Sequence, residues 1–251
     1  MNLAALDDAA LAAHLAAEAG RLLIDVREGA GLAGKPLGVA GDAAANRYLC
    51  DALRAARPDD GLLSEEEKDN PARLAKSRVW IVDPVDGTRE YSEGRADWAV
   101  HVALAVDGVA ALGAVALPGL PGEVVLRSDA PQDLAPLAQR PRFVVSRTRP
   151  PQEAEAVAAA LGGELVAMGS AGAKAMAVVR GEAEVYLHAG GQHEWDSCAP
   201  VAVALAHGLH CSRIDGSPLV YNRADTYMPD LLICRREWAA QVLAEVARIA
   251  A

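Results

Sequence analysis

Apolar positions along the chain switch between two periods, and the switch outlines the fold. Leu11, Leu15, Ala19, Leu22 and Val26 step by three or four residues, which predicts a long first helix. Gly29–Gly41 is rich in glycine and reads as a loop. A second helix is expected from about Asp42, with Ala45, Leu49 and Leu53 on one face. Val79–Val82 is a short apolar run ending at a Pro/Gly turn, so a strand is expected there. Trp98–Val106 and Val109–Leu117 flank Asp107-Gly108, a hairpin signal, and Val124–Leu126 extends that antiparallel sheet.

After Ser128–Pro141, which has no clear period, strands and helices alternate. Strands are expected at Arg142–Ser146, Leu165–Met168, Ala183–His188, near Leu209–Ile214 and at Leu231–Cys234. Helices are expected at Gln152–Leu161, Ala171–Arg180, Asp196–His207 and from about Arg236. The first three of these helices are closed by Gly162, Gly181 and Gly208. The expectation is a layered α/β architecture in two halves, 1–135 (α+β, antiparallel) and 136–251 (α/β).

Charge narrows the function. The formal charge is −10, which excludes a basic footprint for a nucleic acid polymer and a polybasic membrane patch. No apolar run reaches the roughly 18 residues of a membrane span. No basic leader precedes the first helix, and Cys50, Cys198, Cys211 and Cys234 follow no metal or disulfide spacing. Reduced thiols in the cytoplasm are the expectation.

Three acidic places stand out: Ser64-Glu65-Glu66-Glu67, Asp83-Pro84-Val85-Asp86-Gly87-Thr88, and Trp195-Asp196 at the head of an apolar helix. Pro84 and Gly87 predict a tight turn that aims Asp83, Asp86 and the Val85 carbonyl to one side. Such hard oxygen donors suit Mg²⁺ or Mn²⁺, and a cation relieves their mutual repulsion. Gly87 and Thr88 open backbone N–H groups toward an anion. Each feature has a plainer alternative. Asp83 and Asp86 fit ordinary turn formers, Glu65 and Glu66 a solvated run, and Asp42 and Asp196 helix N-caps. A zinc site from His188, His193 and Cys198 lacks regular ligand spacing. His101 fits a packed or surface histidine.

Taken together, Gly41-Asp42, Glu65-Glu66, Trp80–Thr88 (WIVDPVDGT) and Trp195–Pro200 (WDSCAP) resemble the inositol monophosphatase superfamily of metal-dependent, lithium-sensitive phosphomonoesterases. The resemblance implies an αβαβα sandwich holding two or three Mg²⁺ ions, with Mn²⁺ as a substitute. It implies metal ligation by Glu65, Asp83, the Val85 carbonyl, Asp86 and Asp196, and orientation of the attacking water by Thr88 with Glu65. Asp42 resembles the aspartate that holds a further metal or a water. Val39 stands where the family usually has Thr, and Glu67 leaves the register of the glutamate run open by one residue.

Asp86-Gly87-Thr88-Arg89-Glu90-Tyr91 looks like the DGTKEF or DGTREF of the CysQ branch, the 3′(2′),5′-bisphosphate nucleotidases. Val145-Ser146-Arg147, Gly169–Lys174 and Pro218–Tyr221 are similar to that branch as well. The implied substrate is adenosine 3′,5′-bisphosphate or its phosphosulfate relative, and the resemblance leaves room for a homodimer. Substrate contacts are expected from Asp86, Gly87, Thr88, Arg89, Arg147, Ser170, Lys174 and Asp196. Tyr221 or Trp98 is expected either on a base or in the core. Rival activities are inositol, fructose 1,6-bisphosphate or histidinol phosphate hydrolysis, and non-catalytic metal-dependent nucleotide binding.

Overall fold

The computed structural model describes residues 1–250; Ala251, the last residue of the expected second half, lies outside the described residues. Helices α1 (Asp8–Gly29) and α2 (Lys35–Ala56) come first. Asp7 caps α1 by accepting the Ala10 N–H at 2.7 Å. The buried row of α1 is Leu11, Leu15, Ala19 and Leu23, so Leu23 rather than Leu22 points straight into the core.

Helix α2 corrects the expected loop at Gly29–Gly41, because it starts at Lys35 and not near Asp42. Pro36 sits in its first turn, where a missing N–H costs nothing. Gly38 and Gly41 are there for close approach. A Cβ would lie 2.9 Å from Thr88 Cγ2 at the first and 2.6 Å from Tyr91 Cε1 at the second. Asp42 therefore lies inside the helix and does not cap it.

The first sheet has the order β1-β2-β3-β4-β5. Its strands are β1 (Gly61–Ser64), β2 (Arg78–Asp86), β3 (Ala99–Val106), β4 (Val109–Leu117) and β5 (Val124–Arg127). Only β1–β2 is parallel. The β3–β4 hairpin turns through Asp107 and Gly108 at φ of 50° and 79°. Strand β2 does not stop at Val82, and the expected tight turn is instead a bulge. Its register against β3 shifts between Asp83 and Asp86, around Pro84, which has no N–H for the ladder. Gly87, at φ 88°, then turns the chain into the short helix α3 (Thr88–Ser92).

No helix or strand occupies residues 128–141. Beyond them come β6 (Arg142–Ser146), α4 (Gln152–Ala160), β7 (Glu164–Met168), α5 (Ala171–Val179) and β8 (Val185–His193). The chain continues through α6 (Glu194–Ala206), β9 (His210–Ser212), β10 (Tyr227–Cys234) and α7 (Arg236–Ala250). The second sheet has the order β7-β6-β8-β10-β9. Strand β8 runs past His188, its expected end, to His193, so it delivers the chain directly to Trp195-Asp196.

Five layers result. α1 and α2 cover one face of the first sheet, burying Trp80, Val100 and Val102. α5 and α6 lie between the sheets, with Met176, Val178, Val201 and Val203 packed against Ile81, Val115, Tyr186 and Ile233. α4 and α7 close the far face of the second sheet over Phe143 and Leu187. This is the αβαβα sandwich. The inner helices touch both sheets, and the ends of β2, α5 and α6 meet there.

Candidate active site

Three carboxylates meet where those ends converge. Asp83, Asp86 and Asp196 each offer an oxygen, and these oxygens lie within 4.8 Å of one another. Asp83 and Asp86 are buried. The β2 bulge aims both at the inner layer, and the Asp83 carboxylate accepts the Val85 N–H at 3.0 Å. Asp196 lies in the first turn of α6, where its carboxylate accepts the His193 N–H at 2.6 Å. It thus closes a capping box and still faces the cluster.

The start of α6 is held from the first half of the chain. Buried Arg73 grips Asp69 at 2.7 Å and donates to Asn222 Oδ1 at 2.8 Å. The Asn222 and Arg223 N–H groups each donate to buried Glu194 at 2.7 Å. Glu194 lies two residues before Asp196, so this chain of bonds fixes the third carboxylate against the other two.

Each member of the glutamate run faces a different neighbour. The Glu65 carboxyl neighbours Asp83 and feels the charge of Asp196, while Glu66 acts on Asp42. Glu67 is paired with Arg54. Thr88 Oγ1 lies between Asp42 Oδ1 at 3.2 Å and the Val85 carbonyl at 3.1 Å. Thus Asp42, Glu65, Asp83, Val85, Asp86, Thr88 and Asp196 come together from separate elements and turns.

Their electrostatics are those of crowded anions. Burial, followed by Glu65, Asp86 and Asp196, pushes Asp83 well above the carboxylate range. Burial and Asp86 push Asp196 up to about 6. Burial and Asp196 push Glu65 up to about 7. Burial and Glu66 push Asp42 up to about 6. Asp86 goes the other way. Burial would raise it, but His101, Ser170 and the Gly172 N–H outweigh that and bring it to about 2. The donors are all oxygen, they crowd one another, and the one cationic contact among the three is on Asp86. That set fits a hard divalent cation and not a thiolate-bound metal. The zinc alternative fails among the described residues. Cys198 is fully buried in the core, and His193 stacks on Trp195 with ring centroids 4.6 Å apart.

A cavity of about 470 Å³ opens above the cluster. Asp86, Gly87 and Asp196 line it on one side, Ser170 and Lys174 at the head of α5, and Arg89 and Arg149 at its mouth. Ser170 caps α5, accepting the Ala173 N–H at 3.0 Å, and donates to Asp86 at 2.5 Å. It does so at φ 48°, a backbone strain worth about 1 kcal/mol or more. Lys174 is buried. Its ammonium donates to the Gly169 and Ser170 carbonyls, sits 5.4 Å from the Tyr186 ring centre, and is brought down to about 8 by burial.

Arg89 is exposed and paired with Glu93 at 2.9 Å. Arg147 does not line the cavity; its guanidinium is held by Glu90, at 2.7 Å, and by Glu93. Arg149, two residues on, reaches the cavity and has no ion-pair partner among the described residues. Sequence reading missed it, and also Tyr186 and Gln192 in the wall. The only signal for Arg149 was a second arginine at an alternate position past the end of β6. Trp98 and Tyr221 are both core residues, so neither reaches a base.

Comparison with known proteins follows the same lines. Residues 9–250 match the inositol monophosphatase family. A protein of Mycobacterium leprae (strain TN) named 3'-phosphoadenosine 5'-phosphate phosphatase is 50% identical, over 98% of this chain and 96% of its own length. A protein of the same name from Mycobacterium tuberculosis (strain CDC 1551 / Oshkosh) is 52% identical over 92% of this chain and 90% of its own. The crystal structure of CysQ from Bacteroides thetaiotaomicron superposes with a TM-score of 0.76 at 25% identity, covering 90% of this chain and 97% of that one.

Proposed function

The chain belongs to the inositol monophosphatase family, and from that premise we propose that it hydrolyses the 3′-phosphate of adenosine 3′,5′-bisphosphate, and of the matching phosphosulfate, to the 5′-nucleotide and phosphate. The observation that carries the reading is that anionic and cationic side chains share one cavity. Asp86 and Asp196, from the two halves of the chain, line it together with Lys174, Arg89 and Arg149. A substrate with two separated phosphates needs both: a cation-filled end for the phosphate that leaves and a positive end for the one that stays.

In this reading Glu65, Asp83, the Val85 carbonyl, Asp86 and Asp196 hold Mg²⁺. The halves 1–135 and 136–251 each contribute ligands, so neither is active alone. When bound, the metal polarises the phosphoryl oxygens, favours ionisation of the attacking water and offsets charge on the leaving oxygen. The remaining work belongs to the chain. Thr88 Oγ1, held by Asp42 and the Val85 carbonyl, orients the water together with Glu65, which accepts its proton. Asp42 secures Thr88 from the α2 side. Gly87 and Ser170 shape the walls where the scissile phosphate enters. Lys174, Arg149 and Arg89 draw in the remote phosphate, and Arg147 keeps the Glu90–Glu93 segment in place. No nucleophilic side chain takes part. Cys198 is buried packing, and free cysteines throughout favour a reducing compartment, the cytoplasm.

The test is phosphate release with Mg²⁺ across adenosine 3′,5′-bisphosphate, inositol monophosphate, fructose 1,6-bisphosphate and histidinol phosphate. The bisphosphate nucleotide should have the highest kcat/KM. Preference for any other member overturns the substrate reading. Nucleotide binding without phosphate release overturns the catalytic one.

A further inference from the structure

His101 is a fully buried imidazole in β3, flanked by Val100 and Val102. A polar ring in such a place is costly unless both nitrogens are used. Nδ1 lies 3.0 Å from the Trp195 carbonyl, which only accepts, so Nδ1 carries its hydrogen. Nε2 lies 3.2 Å from Asp86 Oδ2, within ion-pair distance but without hydrogen-bond geometry. The two contacts reach opposite halves of the chain. One is the end of β2; the other is the residue next to Asp196.

The route between them is narrow. Gly172, in the first turn of α5, stands over it, and a Cβ on Gly172 would fall 2.0 Å from His101 Nε2 and 3.0 Å from Asp86 Oδ2. Only glycine leaves the gap open. The Gly172 N–H uses the same gap to donate to Oδ2 at 2.5 Å, beside the Ser170 hydroxyl at 2.5 Å. Oδ2 thus accepts from two donors and has the His101 imidazole against it as well. Oδ1 receives only the Ala171 N–H, at 3.0 Å. A carboxylate has about four acceptor directions, two on each oxygen. The free one lies on Oδ1.

We propose that His101, reaching through the opening left by Gly172, is a positioning residue that braces the Oδ2 side of Asp86, keeps Oδ1 turned to the metal, and ties Asp86 to the head of α6. The proposal rests on Asp86 being a metal ligand, as in the function proposed above. It adds a residue from β3 that touches neither substrate nor metal.

The test is calorimetric titration of the full chain with Mg²⁺, alongside thermal melting and kcat and KM. His101→Leu removes both polar contacts. Loss of a group that orients a ligand typically weakens metal binding about 10- to 100-fold, and that is the expected loss here. His101→Gln, long enough to place one N–H near Oδ2, should recover most of it. Gly172→Ala should weaken Mg²⁺ binding to a similar degree as His101→Leu. In all three, kcat at saturating Mg²⁺ should recover while KM for the nucleotide stays near the parent value. Parent-like Mg²⁺ affinity in a folded His101→Leu overturns the proposal. If that variant does not fold, His101→Asn, polar but too short to reach Asp86, takes its place, and parent-like affinity there overturns the proposal equally. Equal losses in His101→Gln and His101→Leu also overturn it, because a purely steric role would give that result. A parent chain that binds no Mg²⁺ at all instead removes the metal reading beneath the proposal, and the two failures are thereby told apart.

Discussion

The floor and the mouth of the one cavity are built on opposite principles. At the floor, anions are buried and held rigidly. Asp86 alone receives donors from Ser170, Ala171 and Gly172 and a contact from His101, and Asp196 is locked into a capping box. At the mouth, cations are exposed and loosely held, Arg89 by one glutamate and Arg149 by none among the described residues. The difference teaches where binding energy and where selectivity reside. Rigid buried charges are worth far more per group than exposed ones, which water and salt screen. Chemistry therefore belongs to the floor, and choice among phosphate esters belongs to the mouth.

The sharpest way to break that contrast is Asp83→Asn. Electrostatic work of several kcal/mol at ~1.4 kcal/mol per decade makes the expected loss of turnover about 10³-fold or more. The fold should survive, because a repelling charge has been removed. Phosphate release and a melting curve check both halves of the statement; full activity would end the metal account.

A second test uses stability. Asp42, Glu65 and Asp196 are raised in the folded chain to about 6, 7 and 6. A raised carboxyl means the folded state binds more protons than the unfolded one, so stability falls as pH rises through that window. Metal-free protein should melt higher near pH 5 than near pH 8, by several degrees at roughly 2–4 °C per kcal/mol for a chain this size. Added Mg²⁺ should reverse the trend by binding the ionised form. Melting that is flat with pH and indifferent to Mg²⁺ would mean the floor is not crowded.

Effects at the mouth should be smaller and should fall on KM. Arg149→Ala should raise KM for the bisphosphate nucleotide by about two- to fivefold, the range of an exposed charge pair. The loss should shrink at high salt, with kcat nearly unchanged. Arg89 already shares its charge with Glu93, so Arg89→Thr should cost least. It should still hurt the bisphosphate nucleotide more than inositol phosphate, and an equal loss on both would remove Arg89 as a selector.

The same contrast explains what could be read from the sequence. The floor was legible because its residues carry local constraints: an apolar strand running into Pro84, a glycine at positive φ after Asp86, an acidic residue at the head of an apolar helix. The layered order of helices and strands was legible for a similar reason, since period and turn residues are local. Helix α2 was misjudged because Gly38 and Gly41 answer to Thr88 and Tyr91, about 50 residues away in the chain. The bulge in β2 was hidden because Pro84 reads equally as a turn. At the mouth nothing local separates Arg147 from Arg149. Only the folded chain shows that Glu90 and Glu93 take the first and leave the second. For His101 the sequence left packed and surface positions open; the fold buries it, and its reach to Asp86 depends on α5 crossing above it with a glycine at the crossing.

The central claim is that Asp83 and Asp86 from the first half and Asp196 from the second enclose one divalent-cation site. Anomalous diffraction from crystals soaked in Mn²⁺ tests it most directly. The account predicts manganese peaks within bonding distance of all three carboxylates, lost in Asp83→Asn. Peaks confined to other surfaces, or none beside these three residues, would contradict it.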